Sequence, residues 1–326
     1  MKTLLAVLTG PAVFLTCVAL HAEEPRLIEF RMQPGESANY ALHVETRTVT
    51  TWHRTRGTEE RTVNFESNMR VLIRCVKVSD EGVMHFEITY PDFKMETSMT
   101  EEGQTSTIVS DRNGARSYLN GKLQESLTWD QLEKQRRPNL AKLLGSLIEF
   151  TLDKRGRVLD AKVPASLAGR APAVDIKQFF RQQVILPGVP IMAGAEWSES
   201  VEREVPQGPG PLHGRMMIDE AAYTYENNET AMGRECARIG IVISSRPKEE
   251  IPDLKEFKQS TEGWSLVDLD NGQLIQSYLK LSQDMKGTPS GIRAEVSTTG
   301  EVKTNLVLPS TAGTAPAEET APAEKK

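Results

Sequence analysis

The side chains of this chain best suited to chemistry are a few histidines, two cysteines and scattered carboxylates. Beyond residue 22 the histidines are His43, His53, His85 and His213, and no two stand at metal-pair spacing. His43 and His85 fall on the polar sides of alternating segments, where solvent exposure is their ordinary state. Cys75 and Cys236 are the cysteines of the same region, and neither belongs to a Cys-x-x-Cys pair. Buried as small apolar fillers they need no partner, but export would permit a bridge between them. Asp268, Asp270 and Asn271 are the nearest approach to a calcium loop. No glutamate follows at the spacing that would supply the bidentate ligand, so the segment reads as a turn. There is no Gly-x-Ser-x-Gly, no His-Glu-x-x-His, no phosphate loop and no dinucleotide fingerprint. The expectation is a protein that is not an enzyme, with no catalytic residue, cofactor or metal site.

The elements that would position these residues are mostly strands. Tyr40, Leu42, Val44, Thr46 and Thr48 alternate with Ala41, His43, Glu45 and Arg47, and Met84, Phe86, Ile88 and Tyr90 alternate with His85, Glu87 and Thr89. Period two means a strand with one wet face. Val71–Val78 and Ile239–Ile243 are apolar at nearly every position and read as central strands buried on both faces. Asp80-Glu81-Gly82, Asp111-Arg112-Asn113-Gly114, Asp153-Lys-Arg-Gly156, Asn227-Asn228-Glu229 and Asp268-Leu-Asp-Asn-Gly272 mark turns. Helices are few. Thr128-Trp-Asp-Gln131 is a capping box leading toward Leu132, Leu140, Leu143, Leu144 and Leu147, with Pro138 interrupting it. Pro172–Val184 is a shorter amphipathic helix carrying Phe179 and Phe180, and Pro252–Phe257 a third, shorter one.

Much of this pattern occurs twice. Phe30-Arg-Met-Gln-Pro-Gly35-Glu36 precedes the first strand, and Leu186-Pro-Gly-Val-Pro-Ile-Met-Ala-Gly194-Ala-Glu-Trp197 precedes a second set. Each set runs to a polar hairpin and then to a similar phrase, Ser117-Tyr118-Leu119 or Ser277-Tyr278-Leu279. The fold class expected is mainly β (α+β): two duplicated antiparallel units of half-barrel type, with a few amphipathic helices. The expected organisation is a signal peptide at 1–22, a first β-rich repeat at 23–149, a second at 150–308 and a disordered tail at 309–326. The tail holds the near-repeat Thr314-Ala-Pro-Ala-Glu and Thr320-Ala-Pro-Ala-Glu, with no bulky apolar residue whose burial would offset its ordering entropy.

Residues 1–22 join the basic Lys2 to an apolar stretch ending at Leu20-His21-Ala22, as a secretory signal does. A membrane anchor is the alternative, but Gly10-Pro11 interrupts the stretch and it is short for a span. Lipidation at Cys17 is disfavoured by the bulk of Thr16. The expected location is therefore periplasmic or extracellular, with no integral span after cleavage. Without the signal the chain carries 38 basic and 45 acidic side chains, a net charge near −7. That balance excludes a nucleic-acid partner, which needs clustered positive charge.

The Phe30-x-x-x-Pro-Gly-Glu phrase, the Leu186–Trp197 segment and the Leu152–Val158 hairpin together resemble an uncharacterised family of secreted proteins, frequent in planctomycete-type bacteria. That resemblance brings no established catalytic or binding residues. In outline the strands and few helices are also similar to the periplasmic lipoprotein-carrier half-barrels, an analogy at fold level. Two functions follow. One is binding of a hydrophobic or lipid-like ligand lined by Tyr40, Leu42, Met84, Phe86, Ile88, Phe179 and Phe180. The other is a structural or interaction protein of the cell envelope, partnered by another envelope protein, with those side chains in an ordinary filled core.

Overall fold

The computed structural model describes residues 24–135, 144, 146–162, 184–205, 212, 214–288 and 291–308. The strands are β1 (Ser37–Arg54), β2 (Gly57–Val78), β3 (Met84–Glu101), β4 (Gln104–Asp111), β5 (Gly114–Leu119), β6 (Lys122–Thr128), β7 (Ile148–Leu152) and β8 (Val158–Lys162). They continue as β9 (Glu196–Glu204), β10 (Met216–Ala231), β11 (Arg234–Pro247), β12 (Leu254–Asp268), β13 (Leu274–Gly287) and β14 (Arg293–Val307). All belong to one antiparallel sheet of order β6-β5-β4-β3-β2-β1-β14-β13-β12-β11-β10-β9. β7 pairs with the first part of β3, and β8 with β7. Two meanders thus meet at β1 and β14, which pair from Asn39↔Val307 to His53↔Arg293. β6 and β9 are left as the two ends of the path. The expected boundary at 149/150 falls inside β7.

Local chemistry explains the corners. Thr128 caps α1 (Trp129–Lys134): its Oγ1 accepts from Gln131 N, and Gln131 Oε1 accepts from Thr128 N at 2.8 Å. Asp111, Asp153 and Asp268 each fold a carboxylate oxygen onto a backbone N–H two residues on. The two strand entries are built alike. Gly35 N donates to Cys75 O, Cys75 N to Glu36 O and Glu36 N to Gln33 O. In the other meander Gly194 N donates to Tyr225 O, Tyr225 N to Ala195 O and Ala195 N to Met192 O. The first set ties the entry of β1 to β2, and the second ties the entry of β9 to β10. The Asp111 turn joins the fourth and fifth strands of its meander, as the Asp268 turn does in the other.

Three expectations are corrected. Pro252–Phe257 is not a helix: residues 252–253 turn, and β12 begins at Leu254, whose neighbours pair with β13. Strand pairing outweighs the weak helical pattern of a short segment. Asn227–Glu229 is not a turn but part of β10, with a register shift between Tyr225 and Asn227; the reversal comes at Met232-Gly233. The asparagines sit at a bulge, which takes the same irregular backbone a turn does. Val71–Val78 and Ile239–Ile243 lie mid-sheet but are covered on one side only, Val242 standing exposed beside the buried Ile241. Val71, Ile73 and Cys75 are buried, whereas Leu72, Val76 and Val78 are exposed. A mostly apolar run does not tell a two-faced strand from a one-faced strand with apolar residues outside. The segments carrying Leu140 and Leu143, and the expected helix with Phe179 and Phe180, lie outside the described residues.

The apolar core gathers at one end of the strands. Tyr40, Val71, Phe86, Ile88, Phe150, Tyr223, Ile239 and Leu279 all turn to the same side of the sheet, closed by Ile28, Phe30, Ile185 and Leu186. Where the strands leave this core they crowd closely. A Cβ on Gly263 would stand 2.0 Å from Tyr278 O, and one on Gly300 2.6 Å from Glu45 O. Only glycine permits that approach of backbone to backbone. Gly263→Ala should cost about 2 kcal/mol or more, since neighbouring backbone must move. Gly240→Ala should cost far less, because its added Cβ meets only the movable Glu226 carboxylate. Urea unfolding of the two variants measures the difference, and equal costs would contradict the crowding.

Candidate functional site

The expected ligand-lining residues form a packed interior. Tyr40, Leu42, Met84, Phe86 and Ile88 are all buried. Phe86 stacks on Phe150 at 5.0 Å and meets the edge of Phe30 at 5.9 Å. The void bordered by Phe30, Tyr40, Ile73, Phe86 and Phe150 is about 10 Å³, room for one water at most. No ligand-sized space lies beside Tyr40 and Phe86: alternation marks a buried face without telling whether side chains or a ligand fill it. Phe179 and Phe180 lie outside the described residues.

The bridge is also corrected. Cys75 and Cys236 are free and buried. They stand on β2 and β11, with β1, β14, β13 and β12 between them, a path of roughly 24 Å along the sheet. Cys75 Sγ contacts Met32 O at 3.6 Å, and Cys236 Sγ contacts Arg234 O at 3.6 Å. Burial pushes both thiols above their ordinary range. In chain lacking residues 1–22, a thiol reagent should therefore label neither cysteine in the native state and both after denaturation. Failure to label in denaturant without reductant would show a bridge.

Beyond the core the same strands carry two very different faces. On the core side the cross-strand row Thr97, Phe65, Thr46, Gly300, Leu281, Thr261, Ile243 is followed by Met99, Val63, Thr48, Thr298, Gln283, Gln259, Ser245. None of these side chains is charged, and all are half-buried. Thr48 and Thr298 share a hydroxyl hydrogen bond of 3.0 Å. Along β2 charge begins only at the next row, where Arg61 lies 5.9 Å over Trp52 and sets its Nε 3.1 Å from Met99 Sδ. This inner surface spans seven strands and continues the core outward.

The opposite face at the same level is dense in charge. Glu96, Glu66, Glu45, Glu301, Lys280 and Glu262 are direct cross-strand neighbours. Four adjacent glutamates repel one another. Tyr278 Oη donates to Glu301 at 2.7 Å and Lys303 lies 2.9 Å from it, and these bonds hold its carboxyl below the usual range. An open cleft of about 600 Å³ runs across this face, lined mainly by Glu45, Arg47, Glu262, Lys280, Ser282 and Glu301. Its walls are the solvated side of the sheet.

At the β9 end, charges turn inward. Glu199 bonds both Arg155 and Arg157, and Arg203 Nε bonds Asp219 Oδ2 at 2.6 Å. Inward-pointing charge discourages an edge strand from pairing with another chain. Beside them Tyr223 is buried, and burial is the main cause that pushes its phenol up to about 12, with Glu199 adding to the rise. Tyr40 and Tyr90 are pushed up in the same direction by burial. A raised folded value means stability is fully present below the unfolded value near 10 and is lost as pH climbs through the folded one. Unfolding free energy should therefore fall as pH rises from 10 toward 12, and Tyr223→Phe should flatten part of the fall. An unchanged slope in that variant would remove Tyr223 as a contributor.

No protein-family model matches the chain, and no curated protein matches it. Among solved structures it is similar to lipovitellin, in a structure concerned with lipid–protein interactions in that protein, with 9% identity and a TM-score of 0.42. That match covers 85% of this chain and 26% of lipovitellin, so the chain spans about a quarter of that protein's length. It is also similar to the translocator domain of the autotransporter NalP from Neisseria meningitidis, at 6% identity and a TM-score of 0.19, covering 83% of this chain and 89% of that one. Both scores lie below the level at which two chains share a fold.

Proposed function

We propose that this chain is an exported, non-catalytic binding protein that offers the uncharged inner surface beyond its core to a hydrophobic or lipid-like ligand. One observation carries the reading. The same strands bear five glutamates and a lysine in one row on the outer face, and two inner rows without a single charge. Water would solvate charge on either face, so a half-exposed row of Phe65, Met99, Leu281 and Ile243 among threonines has the composition of a contact surface. The ligand lies past the filled core rather than within it. Export is supported by the apolar segment ahead of residue 23; no helix among the described residues is long and apolar enough to cross a membrane.

The internal duplication belongs to the same proposal. It is supported by the matching bonds at Gly35 and Gly194 and by the aspartate turns at the same place in each meander. Two units built this way supply the two halves of the inner surface.

A second reading is an interaction protein of the cell envelope with no small ligand. The filled core favours it, and the exposed Leu72, Val76 and Val78 on β2 would then be its contact. Residues 23–326 purified gently from a bacterial periplasm separate the two. The binding reading expects an added lipid mass in native mass spectra, together with saturable uptake of the neutral apolar dye N-phenylnaphthylamine. Met99→Glu and Leu281→Glu should each weaken dye binding about tenfold or more by placing charge in an apolar contact. A bare polypeptide mass with no dye uptake rejects the ligand and leaves the interaction role.

A further inference from the structure

Five buried hydroxyl side chains form one belt on the inner face. Ser265, Ser277 and Thr304 are direct neighbours on β12, β13 and β14. Thr304 pairs with Leu42; one step farther out Val44 pairs with Ser67, which continues through Met95 to Ser110. Their exposures run from 0% to 8%. The belt lies between the apolar core and the two uncharged rows.

Two members have nothing to bond. Ser67 Oγ and Ser265 Oγ are fully buried, and neither has a hydrogen-bond partner among the described residues. The other buried unmatched atoms are different in kind. Asp219 Oδ1 shares its carboxylate with the Arg203 bond, and Asn39 belongs to the opposite face. An unmatched buried hydroxyl costs about 1–3 kcal/mol, so two of them at the inner end of a neutral surface call for a partner from outside the chain.

We infer that this belt receives the polar end of the ligand, and that this end is an uncharged hydrogen-bonding group such as a hydroxyl, ester or amide. The inference rests on the inner-face reading above. Serine and threonine hydroxyls both donate and accept, so they match such a group whichever way it bonds. A carboxylate, phosphate or ammonium would lose its hydration here, and from β3 to β11 the belt and both rows beyond it hold no charge to meet it; the inward charges farther along, Asp219 and Glu199, are already bonded to Arg203 and to Arg155 and Arg157. From Ser67 to the first charged residue of β2 on this face, Arg61, is roughly 20 Å of strand. An acyl chain laid along Phe65 and Val63 would fit that length, its far end at the rim.

The test is displacement of N-phenylnaphthylamine from the mature chain by dodecanol, dodecanoate and dodecyltrimethylammonium at pH 8. The inference expects the alcohol to compete at least about tenfold better than either charged analogue. Ser67→Ala, at the inner end of the path along Phe65 and Val63, should weaken the alcohol about two- to tenfold, and both Ser67→Ala and Ser265→Ala should raise the melting temperature of the ligand-free protein. Equal competition by all three amphiphiles overturns the inference while leaving inner-face binding intact. So does a gain in stability with no loss of alcohol affinity, since the hydroxyls would then only occupy space. Absence of dye binding to the unaltered chain removes both readings together.

Discussion

The antiparallel pairing of β1 with β14 is the constraint on which the rest of this structure depends. It joins residue 39 to residue 307, so nearly the whole described chain is closed into one loop by a single strand pair. That closure carries a high entropic cost, which grows only slowly with length. Once formed, it sets two meanders side by side with the same face turned inward. Tyr40 and Leu42 from one then share a core with Leu279, Val302 and Leu306 from the other.

The pairing also sets how the two meanders align with each other, while the turns set the register within each. With a side-chain period of two, a slip of one residue at the central seam would exchange the glutamate row for the threonine rows. The segregation of charge from neutral surface is therefore a property of register, fixed far from the individual side chains. The inward charges of β9, held by Arg155, Arg157 and Asp219, protect the path at one end. The strands are long because they do two jobs. One end packs a core to within the volume of a water, and the other presents a surface.

Much of the architecture was legible in the residues. Alternation placed β1 and β3, and the turn chemistry of aspartate followed by glycine placed the turns at Gly82, Gly114, Gly156 and Gly272. The Thr128 cap follows from its side chain and that of Gln131 alone. These signals act over a few residues, so tertiary context has little to override. The departures share the opposite cause. Pro252–Phe257 and Asn227–Glu229 leave their local pattern because long-range pairing recruits them into β12 and β10. Val71–Val78 departs because apolar composition does not show which side a neighbour will cover.

By itself the sequence determined a mainly β chain, the positions of its principal turns, the identity of its core side chains and the lack of a recognisable catalytic motif. These depend on local backbone preference and on period-two patterning, which need no knowledge of partners. Only the tertiary structure decided that Tyr40 and Phe86 pack against protein, that Cys75 and Cys236 stay apart, and that Thr46 and Glu45 open onto surfaces of opposite character. It alone aligned Ser265, Ser277 and Thr304 in one row and set Ser67 one step farther out. Cross-strand neighbours are set by register between segments as far apart in sequence as Asn39 and Val307, and no local pattern carries that information.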